Sequence, residues 1–179
     1  MEKDVKSVLI SEEELKQICK CLGEQITRDY TGKKLLVVSV LKGSILFVSD
    51  LLREIKCHCQ IDFLSVSSYS GTKTTGVVKF KKDLDIDPDG MDILIVEDIL
   101  DSGVTLSYLS GVLAGRNANS IKICTLLDKP ANRRADIKAD YVGKVIPDEF
   151  VIGYGLDYNE KYRNLPYVGI LDPSVYGGE

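Results

Sequence analysis

The segment Val96-Glu97-Asp98-Ile99-Leu100-Asp101-Ser102-Gly103-Val104-Thr105 concentrates groups that bind and move charge. An apolar run rich in β-branched residues leads into it, so a buried strand is predicted over Met91 to Val96, a loop over Glu97 to Val104 and a helix over Thr105 to Ala114. Ser102, Gly103 and Thr105 offer amides and hydroxyls at that helix N-terminus, where unpaired N–H groups and the macrodipole favour a phosphate dianion. Glu97 and Asp98 suit vicinal hydroxyls instead, because carboxylates accept hydrogen bonds from them. Acids beside a phosphate cradle describe a sugar phosphate. The competing reading is a helix cap formed by Asp101 or Ser102, which explains Asp101 but not the acidic pair before it.

Other arrangements carry less. No G-x-G-x-x-G follows a strand and no G-x-x-x-x-G-K-[ST] is present, so the dinucleotide and P-loop cradles are absent. Asp85-x-Asp87-x-Asp89-Gly90 approaches a calcium loop, but Val96 stands where that loop needs glutamate, and a strand follows in place of a helix. Cys57-His58-Cys59 sits at the start of an extended stretch, where neighbouring side chains alternate and cannot turn to one ion, so structural thiols are expected. His58 is the only histidine, which removes histidine pairs and histidine-based triads unless His58 itself serves.

The elements that must position these groups alternate. Ser11 and Glu14 form a capping box ahead of Leu15, Ile18, Cys19, Leu22 and Ile26 at helical spacing. Lys34 to Leu41 reads as a strand, Lys42-Gly43-Ser44 as a tight loop and Ile45 to Ile55 as a helix. Further strands are predicted at Gln60 to Tyr69, Val77 to Lys82, Ile121 to Leu127, Tyr141 to Ile146, Phe150 to Tyr154 and Val168 to Leu171. Ser70 to Gly76 is polar with nothing to bury and reads as a mobile loop. This βαβ rhythm predicts an α/β fold with a mostly parallel sheet, and ligands in such sheets sit beyond the carboxyl ends of the strands. The loops after Leu41, Val96 and Leu127 are therefore where a site is expected.

At 179 residues the chain is one domain's length, on a prior of roughly 150 residues each. With 44% hydrophobic and 28% charged residues it can bury a substantial core, which excludes intrinsic disorder and a disulfide-stapled scaffold. A net charge of -4 lacks the broad basic face of a duplex-binding protein, so no nucleic-acid partner is expected. The longest apolar stretches, Leu35 to Leu41 and Ile93 to Val96, fall far short of the roughly 20 residues a bilayer requires. The charged start Met1-Glu2-Lys3-Asp4 lacks the order of a secretory signal, so a cytoplasmic protein with its five cysteines reduced is expected.

Ile93 to Leu106, ILIVEDILDSGVTL, resembles the phosphoribosyl pyrophosphate (PRPP) signature of type I phosphoribosyltransferases. Leu41 to Ser44, Ser68-Tyr69, Asp128-Lys129-Pro130 and Phe150 to Glu160 resemble the hypoxanthine-guanine branch of that family, in the expected order. Ser44 departs slightly, standing where some relatives carry glycine. The resemblance implies a twisted, mostly parallel sheet flanked by helices, with a small hood built from the N-terminal and C-terminal segments of a single domain spanning 1–179. It implies transfer of the 5-phosphoribosyl group of PRPP to hypoxanthine or guanine, giving IMP or GMP and pyrophosphate with Mg2+, by a homodimer or homotetramer.

Carried over residue by residue, the resemblance puts Asp101, Ser102, Gly103, Val104 and Thr105 on the 5-phosphate and Glu97 and Asp98 by the ribose hydroxyls and metal. Asp101 would also be the acid/base facing purine nitrogen 7. Lys42, Gly43 and Arg163 would bind pyrophosphate, with a cis peptide after Leu41, and Asp157 would reach magnesium at the edge of the purine pocket. Lys129 would point at the 6-oxo group, Phe150 would stack on the purine and Val151 would meet its edge through the backbone. By residue type alone Lys129 is most often a solvated charge, and Phe150 is equally a core ring. Ser68 and Tyr69 would open a lid loop that excludes water. Two other readings stay open: a regulator that keeps the PRPP fold and binds RNA or DNA, and a transferase for adenine or a pyrimidine. An adenine pocket would gain little from Lys129, because the 6-amino group is itself a donor.

Overall fold

The computed structural model describes residues 1–68 and 78–177. The central sheet has six strands in the order β4-β3-β2-β5-β6-β7, with β2 at Leu35–Leu41, β3 at Cys59–Ser68, β4 at Val78–Lys82, β5 at Asp92–Leu100, β6 at Ser120–Asp128 and β7 at Tyr141–Val145. All neighbours run parallel except β3 and β4, which are antiparallel. Helices α1 (Glu12–Tyr30) and α2 (Ile45–Glu54) cover one face and α3 (Val104–Ala114) the other. Along β2, Leu35 and Val37 pack with the α1/α2 layer while Leu36, Val38 and Val40 pack with α3, so a strand alternating between two cores reads as one continuous apolar run.

The local signals act as expected at α1. Its capping box forms, with the Ser11 hydroxyl accepting from the Glu14 amide and the Glu14 carboxylate accepting from the Ser11 amide. Leu15, Cys19, Leu22 and Ile26 are buried at i, i+4, i+7 and i+11. A second sheet of three antiparallel strands, in the order β1-β9-β8, joins β1 (Val5–Ile10) to β9 (Val168–Leu171) and β8 (Val151–Ile152). It encloses its own small core of Ile152, Tyr162, Leu165 and Leu171.

Most boundaries shift from the sequence reading by a residue, and those around the site shift further. The strand predicted to stop at Val96 continues to Leu100, because β6 supplies a parallel partner along that whole length, pairing Glu97 with Thr125 and Leu100 with Asp128. Glu97 and Asp98 are therefore strand residues, and the loop shrinks to Asp101 to Gly103, with the helix beginning at Val104. The strand predicted over Phe150 to Tyr154 is reduced to Val151–Ile152, since Gly153, Tyr154 and Gly155 take φ values of 93°, 49° and 101° and turn the chain out of the sheet. The polar loop predicted at Ser70 to Gly76, with Tyr69, lies outside the described residues. Among the described residues no helix is long and apolar enough to cross a membrane.

Candidate active site

β2, β5 and β6 are adjacent and parallel, so the loops that leave their carboxyl ends emerge side by side. After β2 the Leu41–Lys42 peptide is cis. Gly43 lies directly on Asp98: a Cβ there would stand 1.7 Å from Asp98 Oδ2. Ser44 is fully buried and its hydroxyl bonds to Ser39 and the Val40 carbonyl, so the serine anchors the loop from below.

Alternation along β5 sends Glu97 and Asp98 to opposite faces of the strand. Asp98 is only 9% exposed, and its Oδ1 accepts from the Ile99 amide at 2.8 Å. Burial pushes its carboxyl up to about 6, against the pull of the Ile99 and Asp98 amides and of Arg163. Burial, with the Asp98 charge beside it, raises Glu97 well above the carboxylate range, and Glu97 Oε2 is buried without a partner.

In the loop after β5, Gly103 occupies the N-cap of α3 at φ 78° and has no side chain to cap the helix. This removes the helix-cap reading of Asp101, whose Oδ1 is instead buried with no hydrogen-bond partner. Ser102 Oγ lies 3.5 Å from the Val104 amide, and its carbonyl accepts from Arg134 and Ala135. The first amides of α3 have no carbonyl one turn back; the Val104 amide donates to that Ser102 Oγ, a cap that keeps part of the Ser102 reading, and Thr105 presents its donor at the positive end of the helix.

Lys129 follows β6 and is 9% exposed, which replaces the solvated-charge reading with a held ammonium. Its Nζ donates to the Glu149 carbonyl at 3.1 Å and pairs with Asp148 at 2.9 Å. Phe150 comes next in the chain after Glu149, 39% exposed and outside the core, with its ring 5.6 Å from Tyr158 and 5.2 Å from Tyr176. Val151 begins β8, the outer strand of its sheet, so one backbone edge of this strand is unused by β9.

The chain then returns to the loop after β2. A Cβ on Gly155 would stand 2.0 Å from the Gly43 carbonyl oxygen, so only glycine allows these two loops to touch. Tyr154 pins the turn by donating to Asp50 of α2 at 2.6 Å. Arg163 Nη1 donates to the Gly155 carbonyl at 2.7 Å, and Nη2 pairs with Asp157 at 2.8 Å and Glu160 at 3.3 Å, while Nε is buried and unpartnered. Asp157 also accepts from the Glu160 amide, and Lys42 pairs with Glu160. Ser68 ends β3, and Tyr69 lies outside the described residues.

The geometry brings together two unpartnered carboxylate oxygens, Glu97 Oε2 and Asp101 Oδ1, one unpartnered guanidinium nitrogen and a helix N-terminus. A ligand that offers hydroxyls, a ring N–H and phosphate oxygens would supply partners to all of them. The profile of the phosphoribosyl transferase domain matches residues 8–159. This chain belongs to the phosphoribosyltransferase family. It is 56% identical over 177 residues to a hypoxanthine-guanine phosphoribosyltransferase of Staphylococcus aureus strain Mu50, covering 98% of this chain and 99% of the relative. A crystal structure of a hypoxanthine phosphoribosyltransferase from Staphylococcus aureus matches with TM-score 0.96 at 55% identity, over 99% of this chain and 97% of that one. A hypoxanthine-guanine phosphoribosyltransferase from Bacillus anthracis matches with TM-score 0.87 at 48% identity, over 93% and 97%.

Within this phosphoribosyltransferase the sequence reading passed over Arg133, Glu160 and Tyr154. Glu160 bridges Lys42 and Arg163, a role that its place at the end of the Phe150 to Glu160 motif does not signal. Arg133 stands in an unpatterned stretch, Ala131-Asn132-Arg133-Arg134, and nothing in its spacing marks it out. Among the described residues no group of three or more His, Cys, Asp or Glu side chains is placed to hold a metal by itself.

Proposed function

We propose that this protein transfers the 5-phosphoribosyl group of PRPP to hypoxanthine or guanine, releasing pyrophosphate and giving IMP or GMP. The observation that carries the reading is that the neighbouring loops after β5 and β6, joined by the Lys129 amide donating to the Leu100 carbonyl, carry a buried unpartnered Asp101 oxygen and a Lys129 ammonium held at Glu149, the residue before the half-open Phe150. A 6-oxopurine offers both counterparts: a ring nitrogen whose proton a carboxylate can hold, and a carbonyl that accepts from an ammonium. Lys129 has three donors, of which Glu149 and Asp148 use two, so one is left for the 6-oxo oxygen.

The amides of Val104 and Thr105 and the hydroxyls of Ser102 and Thr105 hold the 5-phosphate at the start of α3. Glu97, whose Oε2 is unpartnered, accepts from the ribose hydroxyls, while Asp98 on the other face of β5 sits beneath Gly43. Asp101 holds the proton at nitrogen 7 as nitrogen 9 attacks the sugar. Phe150 stacks on the base, and the free edge of Val151 meets its polar rim. The Lys42-Gly43 backbone and Arg163 Nε take the pyrophosphate, supported by the contact of Gly43 with Gly155. Magnesium, when bound, would neutralise charge on the leaving pyrophosphate, and Asp157 with Asp98, whose charges act on each other, would be the carboxylates that meet it, Glu97 lying on the other face of β5. Cytoplasmic action and assembly as a homodimer or homotetramer belong to the same reading.

Purified protein with PRPP and magnesium, offered each base in turn, tests this with nucleotide and pyrophosphate as readouts. Hypoxanthine and guanine are expected to give nucleotide with one pyrophosphate each, and adenine none. Adenine turned over in preference to both would overturn the assignment of Lys129.

A further inference from the structure

Arg133 belongs to none of the groups that meet substrate in the proposed reaction, yet its guanidinium has more partners than any of those groups' side chains. Its side chain is 18% exposed. Nε donates to the Asp101 carbonyl at 2.9 Å, Nη1 to the Ile137 carbonyl at 3.1 Å, and Nη2 to the Leu100 carbonyl at 3.2 Å and to the Asp128 carboxylate. Leu100 and Asp101 open the phosphate loop, and Asp128 is the residue before Lys129. The backbone repeats the link: the Lys129 amide donates to the Leu100 carbonyl, and the Arg134 and Ala135 amides to that of Ser102. The site of a Cβ on Gly103 lies 3.1 Å from Arg133 Cδ and 2.6 Å from Ile137, so the same segment also closes over the turn at the head of α3.

We infer that Arg133 is a positioning residue that couples the purine-facing loop to the phosphate loop. The inference rests on the reaction proposed above. One purine must meet Asp101 and Lys129 at once, and those residues stand on separate loops whose roots share this guanidinium. A phosphate seated on the α3 amides orders Ser102 and Asp101, and through Arg133 and Asp128 it orders Lys129, so phosphate and base bind better together than apart. The planar fork is needed because its nitrogens point to acceptors on three segments, whereas a lysine ammonium concentrates its donors at one atom.

Arg133→Lys and Arg133→Ala in the full chain test this. With PRPP and guanine, kcat/KM is expected to fall roughly tenfold to hundredfold in Arg133→Lys, the scale of a small misplacement of reacting groups, while its melting temperature stays near that of the parent. The ratio of GMP affinity to guanosine affinity is expected to drop in the same variant, which loss of fold stability alone would not produce. Millimolar guanidinium is expected to restore turnover in Arg133→Ala without restoring its melting temperature. A folded Arg133→Lys with parental kcat/KM and an unchanged affinity ratio overturns the inference; if Arg133→Ala does not fold, Arg133→Lys decides alone. Failure of the parent protein to turn over guanine would count against the proposed reaction, whereas the affinity ratio reads the coupling independently of turnover.

Discussion

Asp101 is where a structural and a chemical reading of one residue part most sharply. Gly103, not Asp101, stands at the N-cap of α3, and the Asp101 Oδ1 atom is buried with nothing to accept from. Asp101→Asn is therefore expected to leave the melting temperature nearly unchanged and to lower kcat by roughly a hundredfold to ten-thousandfold, the usual share of general acid–base catalysis. Parental turnover in a folded variant would remove Asp101 from the mechanism. Lys129→Ala is expected to cost about 1.5–3 kcal/mol in transition-state binding of 6-oxopurines, the value of a charge-assisted hydrogen bond, with PRPP affinity retained. The comparison to make is kcat/KM for hypoxanthine beside the Kd of PRPP, and a loss confined to PRPP would assign Lys129 to phosphate. At this scale residue type and loop position were legible in the sequence, because a carboxylate between a strand and a helix has few roles. Partnerships were not: Asp148, which Lys129 holds below the usual carboxylate range, and Glu149 lie beyond a stretch with no regular pattern.

Elements place these residues by backbone contact more than by side chains. The loop after β2, the end of β5 and the turn at Gly153 to Gly155 meet through Gly43 and Gly155, at spacings that no Cβ fits. Gly155→Ala is expected to destabilise the fold by about 1–3 kcal/mol from overpacking, on top of the strain of a side chain at φ 101°, and to raise the KM for PRPP. Gly32→Ala is the control, since Gly32 also has positive φ, 82°, but nothing within 4 Å of its added Cβ. Urea denaturation of both should show the larger loss in Gly155→Ala, and equal losses would mean that the contact with Gly43 contributes nothing. The strand and helix rhythm was legible because period and capping are local properties. The true end of β5 was not, since Glu97 to Leu100 stay extended through pairing with β6, whose residues lie more than twenty positions further along.

Stability of the whole molecule carries the cost of keeping two acids inside it. Burial holds the Asp98 carboxyl at about 6, above its ordinary 3.8, so the folded state binds a proton more readily than the unfolded chain. The neutral form's contribution is complete below about pH 4 and is lost as pH rises through about 6. Asp98→Asn, which cannot ionise, is thus expected to be more stable than the parent above pH 6 in the absence of ligand, approaching about 3 kcal/mol well above that pH. The gap should shrink as pH falls towards 4. Denaturation curves from pH 4 to 8 check this, and a difference independent of pH would show that the charge on Asp98 is not what destabilises the parent. By itself the sequence determined the alternation of strands and helices, a loop opening a helix after Asp101 and the family resemblance, because each lies within a short window where periodicity, capping and residue type act together. Only the tertiary structure decided the pairing of Val5 to Ile10 with Val168 to Leu171, the seat of Asp98 beneath Gly43 and the reach of Arg133 to two loops. Those contacts join residues far apart in the chain, and their free energy depends on which surfaces the topology brings together rather than on any pattern the residues carry locally.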